Sequence, residues 1–298
     1  MQRRKLLRHV TLLGAGSLLT PSLSLGEQVA RRKNNLKLSL NAYSFHSLLS
    51  TGKMNLDDLF RFCSEEGLPA VDLTAYYIQG YPEVPDDSVL YGIKRKAHSY
   101  GLAISGTGIR NDFTYADRDK HHEQIIFVKK WIVAAAKLGA PVLRVFAGTQ
   151  PVEPSFRKRL SSWMAVNYMS CTETGEANGV IVALQNHDDF IQTAEEVNWY
   201  MEVVDSPWFG LVLDIGSYPQ DDTYEGIQKN IRYAVNWQLK ENVNQGGKQV
   251  PVDLPRLFEI IAQSNYQGYL PIETLGPGDP YQKVRKFLAQ VRKHLPGV

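Results

Sequence analysis

Eight short apolar runs separated by stretches of helical periodicity, several of the runs closed by a polar or ionisable residue, predict a closed (β/α)8 barrel, the TIM-barrel form of the α/β class. A run that stays apolar at consecutive positions reads as a strand buried on both faces, as in a parallel sheet. The strand-then-helix unit recurs roughly every 25 to 40 residues with no two strands in succession, which favours a closed barrel over an open sheet. No Gly-, Ser- or Pro-rich linker divides the chain, and about 270 residues beyond its first segment is the size of one such barrel.

Residues 1–26 stand apart from this pattern. Arg3-Arg4, then Lys5-Leu6-Leu7-Arg8, then a mildly apolar stretch from Val10 to Leu19 holding Gly14 and Gly16, has the order of an export signal. The paired arginines resemble a twin-arginine (Tat) signal more than a general secretory one. Ser22, Ser24 and Gly26 are each small enough for cleavage. The apolar run is shorter than the roughly 18 residues a spanning helix needs, so no stable membrane anchor is expected. The chain is thus expected to carry a removable signal at 1–26 and a single barrel domain at 27–298, periplasmic or otherwise exported. Loss of the signal removes four basic residues and no acids, taking the formal charge from +2 to −2. That leaves no basic surface and no case for a nucleic-acid partner.

The runs begin near residues 36 (LKLSLNAYSF), 70 (AVDLT), 102 (LAISGTG), 142 (VLRVFAG), 180 (VIVALQN), 210 (GLVLDIG), 234 (AVNWQLK) and 268 (GYLPIET). Helical periodicity covers 56–66, 88–100, 122–138, 155–178, 193–204, 253–264 and 281–294, with a shorter stretch over 224–232. Asp57-Asp58 marks a first turn, and Gly67, Gly101 and Gly139 follow last turns. Cys63 and Cys171 each fall in a helical pattern and read as buried thiols rather than a disulfide or a nucleophile.

A charge at the end of a buried strand is costly unless that end opens into a site. Arg144, Gln185-Asn186-His187, Asp214, Lys240 and Glu273 end five of the runs and so point to one shared site at the carboxyl ends of the strands. Side chains two apart share a face, which groups Gln185 with His187 and Gln238 with Lys240, and turns Glu241 away as a helix-side or loop partner. His46 and Asp72, at the first two strand ends, are candidates to hold substrate, with capping and an Asp72–Arg144 ion pair as their alternatives. Tyr76, Tyr77 and Tyr81 read as a loop over the mouth, Trp237 as core, and His121-His122 as a solvated helix terminus.

The strand endings LQNHDDF, LDIGSY, WQLKENV and GYLPIETLGPGD resemble the fifth to eighth strand motifs of the sugar phosphate isomerase/epimerase superfamily with the xylose isomerase-like barrel, and NAYSFH resembles its first. The likeness extends across essentially the whole mature chain. It implies a carbohydrate-active enzyme that removes a proton beside a sugar carbonyl, and a divalent cation held by Glu, Asp, His and Glu on strands five to eight. Those slots fall on Gln185, Asp214, Gln238 and Glu273, and Ser217 stands where a further histidine often follows. Two glutamines leave a set suited only to a hard cation such as Mn²⁺ or Mg²⁺, or to none, with the glutamines hydrogen-bonded to the carboxylates.

The proton-transfer residues expected are Glu273, Lys240 and His187, with His46, Asp72, Arg144 and Asn186 binding substrate. Gln185 in place of a glutamate breaks the two-carboxylate arrangement of an epimerase. A lyase or hydratase acting by β-elimination on a 3-keto-glycoside, and a non-catalytic sugar-binding protein, are the alternatives. A phosphorylated substrate is disfavoured because no Gly-rich phosphate loop with an adjacent Lys or Arg is present. The expected partner is a small sugar or glycoside.

Overall fold

The apolar runs fold into a closed parallel barrel in a computed structural model that describes residues 35–187, 189–219 and 222–295. The signal read at residues 1–26 lies outside the described residues. The barrel strands are β1 (Leu36–Asn41), β2 (Ala70–Thr74), β3 (Ala103–Gly108), β4 (Val142–Val145), β5 (Ile181–Gln185), β6 (Phe209–Asp214), β7 (Ala234–Lys240) and β10 (Gly268–Glu273), and β1 closes on β10. Each apolar run therefore starts within three residues of where the periodicity put it.

Helices cover the outside: α1 (His46–Leu49), α2 (Leu56–Glu65), α3 (Asp87–Ser99), α4 (Arg118–Leu138), α5 (Pro154–Asn178), α6 (Ala194–Val204), α7 (Thr223–Asn230), α8 (Leu254–Gln263) and α9 (Pro280–Arg292). Their ends follow local chemistry. Asn55 and Thr193 make reciprocal capping boxes with Asp58 and Glu196, satisfying amides that a helix start leaves open. The hairpin of β8 (Asn242–Gln245) and β9 (Lys248–Pro251), which the periodicity did not reveal, turns at Gly246-Gly247, both at positive φ.

Between strands and helices lies one extensive apolar core that includes Trp131, Trp237, Tyr168 and Phe45, all fully buried. Both cysteines are buried and free, and burial pushes the Cys171 thiol up to about 12, out of nucleophilic range. His121 corrects the expectation of a solvated terminus. It is buried, its Nδ1 lies 3.1 Å from the Tyr115 carbonyl oxygen, and its Nε2 meets Asn167 of α5. Within the barrel, Val142, Ala183 and Val212 form a separate small apolar cluster. Two residues further along the same strand faces stand Arg144, Gln185 and Asp214, so the lumen turns polar towards the carboxyl ends. Among the described residues no helix is long and apolar enough to cross a membrane.

Candidate active site

The register of β5, β6, β7 and β10 brings four of the strand endings together. Glu273 is level with Lys240, and Asp214 with Gln238. Lys240 Nζ lies 2.6 Å from Asp214 Oδ2 and 3.5 Å from Glu273 Oε2, with side-chain exposures of 13, 0 and 5% for the three residues. Gly216 makes this approach possible, since a Cβ there would stand 2.8 Å from Lys240 Cδ. Gln185 Nε2 donates to Asp214 Oδ2 at 2.8 Å, and the Gly216 amide donates to Asp214 Oδ1 at 2.9 Å.

Gln238 completes the cluster. With its amide nitrogen turned to the carboxylate, Nε2 donates to Glu273 Oε2 at 2.7 Å and Oε1 at 2.8 Å, while its oxygen accepts from Asn41 Nδ2 at 2.9 Å. The opposite orientation would face oxygen against oxygen. Asn41 is in turn fixed by the Tyr43 amide, which donates to its Oδ1 at 2.8 Å.

Burial sets the charge states. It pushes the Glu273 carboxyl up to about 7, against the pull of the Lys240 ammonium. Burial also opposes ionisation of Asp214, but the Lys240 ammonium and the Gly216 amide outweigh it and hold that carboxyl below the usual range. Lys240 is desolvated too, yet the two carboxylates keep its pKa above the ordinary value, so it remains an ammonium. Desolvation lowers His187 to about 4, leaving a neutral imidazole packed on Phe146 with ring centroids 4.5 Å apart.

These groups open on a cavity of about 560 Å³, a size suited to a small ligand. Gln185, His187, Gln238, Lys240 and Glu273 line it, and Arg144 and Tyr76 form part of another wall. Three expected substrate contacts are placed elsewhere. Asn186 faces away from the cavity and clips β6, donating from Nδ2 to the Asp214 carbonyl oxygen and accepting the Asp214 amide at Oδ1, at 2.8 and 2.9 Å. His46 is an exposed residue of α1, stacked on Tyr43 with its Nδ1 3.0 Å from the Tyr77 hydroxyl. Asp72 lies deeper in the barrel and accepts from Asn236 Nδ2 at 2.7 Å; Arg144 attracts it electrostatically from beyond ion-pair distance. Glu241 pairs with Lys283 at 2.8 Å, and Trp237 is fully buried.

Sequence reasoning missed Arg110, Asp112, Gln150 and Asp189, which also line the cavity. Burial pushes Asp189 up to about 6, although the Ile191 and Gly148 amides donate to it. All four sit on the loops that follow β3, β4 and β5, where no periodicity marks direction. The signal available was their place just after a strand end.

The donor set does not fit a divalent cation as it stands. Gln185 and Gln238 present amide N–H groups, not oxygens, to Asp214 and Glu273, and the Lys240 ammonium occupies the space between the two carboxylates. A metal needs lone pairs converging there, and those of both carboxylates are instead engaged by these N–H donors. Among the described residues, no group of three or more His, Cys, Asp or Glu is arranged to hold a metal.

A closed eight-stranded barrel with its polar cluster at the carboxyl-end mouth defines a barrel enzyme of the α/β class. The chain belongs to the xylose isomerase-like TIM barrel family, whose profile matches residues 60–291. A C-glycoside deglycosidase alpha subunit from Arthrobacter globiformis is 27% identical over 183 residues, 59% of this chain and 46% of the relative. The match thus spans less than half of that relative's own length. Among solved structures, the 3-keto-D-glucoside 4-epimerase of E. coli is 17% identical with a TM-score of 0.66, covering 88% of this chain and all of that one. The IolI protein, solved with a bound zinc atom, is 15% identical with a TM-score of 0.68 over 88% of this chain and all of that one. These two share the fold, and divalent-metal sites occur on it.

Proposed function

We propose that the protein is a sugar isomerase that removes a proton beside a carbonyl, with Glu273 as the base and the Lys240 ammonium standing among the residues where the family resemblance implies a metal. The observation that carries this reading is the ammonium set between Asp214 and Glu273 at the wall of a sugar-sized cavity. Glu273 takes the proton from the carbon beside the carbonyl, and the C–H electron pair moves through to the carbonyl oxygen. The enediolate so formed is stabilised by Lys240, a fixed cation in a desolvated wall. Return of the proton by Glu273 to the former carbonyl carbon, with the hydroxyl proton passing to the other oxygen, completes an aldose–ketose isomerisation using one base. Asp214 keeps Lys240 charged and in place. Gln185 lends its amide N–H to Asp214 and so fixes the carboxylate that holds Lys240.

A second reading has specific support in the C-glycoside deglycosidase relative. On a 3-keto-glycoside the same base would remove the C2 proton, and the C–H electrons would form the C1–C2 double bond as the aglycone leaves C1. NMR of the mature protein in D₂O with free ketoses and with 3-keto-glycosides separates the readings. Deuterium at the carbon beside the carbonyl with the aglycone retained is the isomerase result, and aglycone release is the lyase result. Saturable binding without either reaction would leave a sugar-binding protein and refute both.

The leader supports export to the periplasm as part of the same proposal. Arg3→Lys combined with Arg4→Lys should retain the precursor in the cytoplasm on cell fractionation, and unchanged export would remove the twin-arginine route.

A further inference from the structure

We propose that the substrate carries a carboxylate, held in the cavity by Arg144 and Arg110; this rests on the sugar reading of the same cavity. Arg144 ends the lumen face of β4, is only 7% exposed, and lies flat on Phe146 with Cζ 3.9 Å from the ring centroid. Its Nη1 donates to the Ile109 carbonyl oxygen and its Nη2 to the Tyr76 hydroxyl at 2.8 Å. Arg110 comes from the loop after β3, with Cζ 4.9 Å from the Tyr76 ring centroid, and Arg144 Cζ is 5.7 Å from the same centroid. Two cations therefore flank one ring, and both line the cavity.

Neither guanidinium has a carboxylate within ion-pair distance among the described residues, whereas Lys240 in the same cavity has two. Neutral partners satisfy part of the Arg144 fork, and Asp72 and Glu273 act on it only from beyond ion-pair distance, so it has no countercharge in contact. Burying a guanidinium without one is costly, and placing a second cation on the same ring adds repulsion, unless an anion enters. The fold makes room for this arrangement. At Gly108 on β3 a Cβ would lie 2.7 Å from both Nε and Nη2 of Arg144, so glycine is what lets the planar group lie against that strand. Each guanidinium has more N–H donors than the contacts above use, in the fork geometry that matches a carboxylate.

The cavity also limits the charge of the anion. Asp112 and Asp189 line it together with Glu273, and Asp112 is held ionised by the Thr114, Thr149 and Gln150 donors that offset its desolvation. A dianionic phosphate would meet about twice the repulsion that a monoanionic carboxylate meets. The geometry thus favours an acidic sugar, such as a uronate or its glycoside, over a neutral or phosphorylated one.

Equilibrium binding of D-glucuronate, D-glucose and D-glucose 6-phosphate, followed by NMR on the wild type and on Arg110→Met and Arg144→Met, tests this. The wild type should bind glucuronate about tenfold or more tightly than the other two, and each variant should weaken glucuronate about tenfold and glucose far less, so that the preference collapses. Arg110 is exposed, so Arg110→Met keeps the test intact if Arg144→Met fails to fold. Equal binding of glucuronate and glucose, no binding of glucuronate, tightest binding of glucose 6-phosphate, or a preference that survives Arg110→Met would each overturn the proposal. Deuterium exchange into neutral ketoses without a carboxylate preference would overturn this inference alone and leave the isomerase reading standing.

Discussion

Replacing Lys240 with Met removes the charge at the centre of the site while keeping most of the side-chain volume. With an effective dielectric constant of 20, the contact at 2.6 Å to Asp214 corresponds to about 6 kcal/mol and that at 3.5 Å to Glu273 to about 5 kcal/mol. Desolvation of the three groups offsets much of this sum. Removing one partner from a buried pair costs about 3–5 kcal/mol, because the remaining charge is left without compensation. A loss in this range lowers the melting temperature by on the order of 10 °C for a domain of this size.

The pH dependence identifies the cause. Glu273 already has a folded value of about 7 against an ordinary 4.5, so the native state holds the extra proton between those values. Stability therefore falls as pH rises through that window. Without Lys240 the folded value rises further, and the window extends above pH 7. The stability gap between wild type and Lys240→Met should widen between pH 5.5 and pH 8, at up to about 1.4 kcal/mol per pH unit. Urea denaturation at the two pH values measures it. A gap that is absent, or the same at both, would show that Lys240 does not compensate Glu273 and would sink the reasoning.

Glu273→Gln keeps the shape and removes the base, so turnover in the deuterium-exchange assay should fall by about 10² to 10⁴ with ligand binding retained; normal turnover would place the base elsewhere. The base must be deprotonated to act, so kcat/KM should climb with pH, flatten above about 7, and lose this limb in Glu273→Gln. Exhaustive chelation should leave activity intact, because the ammonium supplies the cationic charge; activity lost on chelation and restored by Mn²⁺ or Mg²⁺ would refute the lysine substitution for metal.

The parts of this site legible in the sequence are those governed by alternation along a buried strand. Gln238 and Lys240 share a face, Glu273 ends the neighbouring strand, and the lysine-to-carboxylate contact follows from that register. Alternation also turned Asn186 away from Gln185 and His187, yet its polar amide at the strand end was read as a substrate contact; the backbone of β6 consumes it instead. His46 lies past the last strand residue, where a helical turn begins and strand parity has no meaning. Asp72 keeps its lumen face but stops one layer short of the mouth, a depth that composition does not reveal. Arg110, Asp112, Gln150 and Asp189 depend on loop conformations that no period encodes. The glycine at position 108 was the readable trace of Arg144 lying against β3.

The two glutamines and the lysine follow from one electrostatic argument. The ligand set implied by the resemblance, three carboxylates and a neutral histidine around a divalent cation, carries a net charge of −1. Here Gln185 and Gln238 leave two carboxylates, and the ammonium between them again gives −1 when both are ionised. A divalent cation added to the present cluster would raise its charge by two while Lys240 already occupies the space between the carboxylates. Retaining a glutamate at position 185 with Lys240 in place would leave a further buried negative charge for a single ammonium to offset. The amide removes that excess charge and donates to Asp214 in the same step. Neutralisation at position 185 and a fixed cation at position 240 are thus mutually dependent features of one site, and either alone would leave the barrel mouth with an uncompensated buried charge.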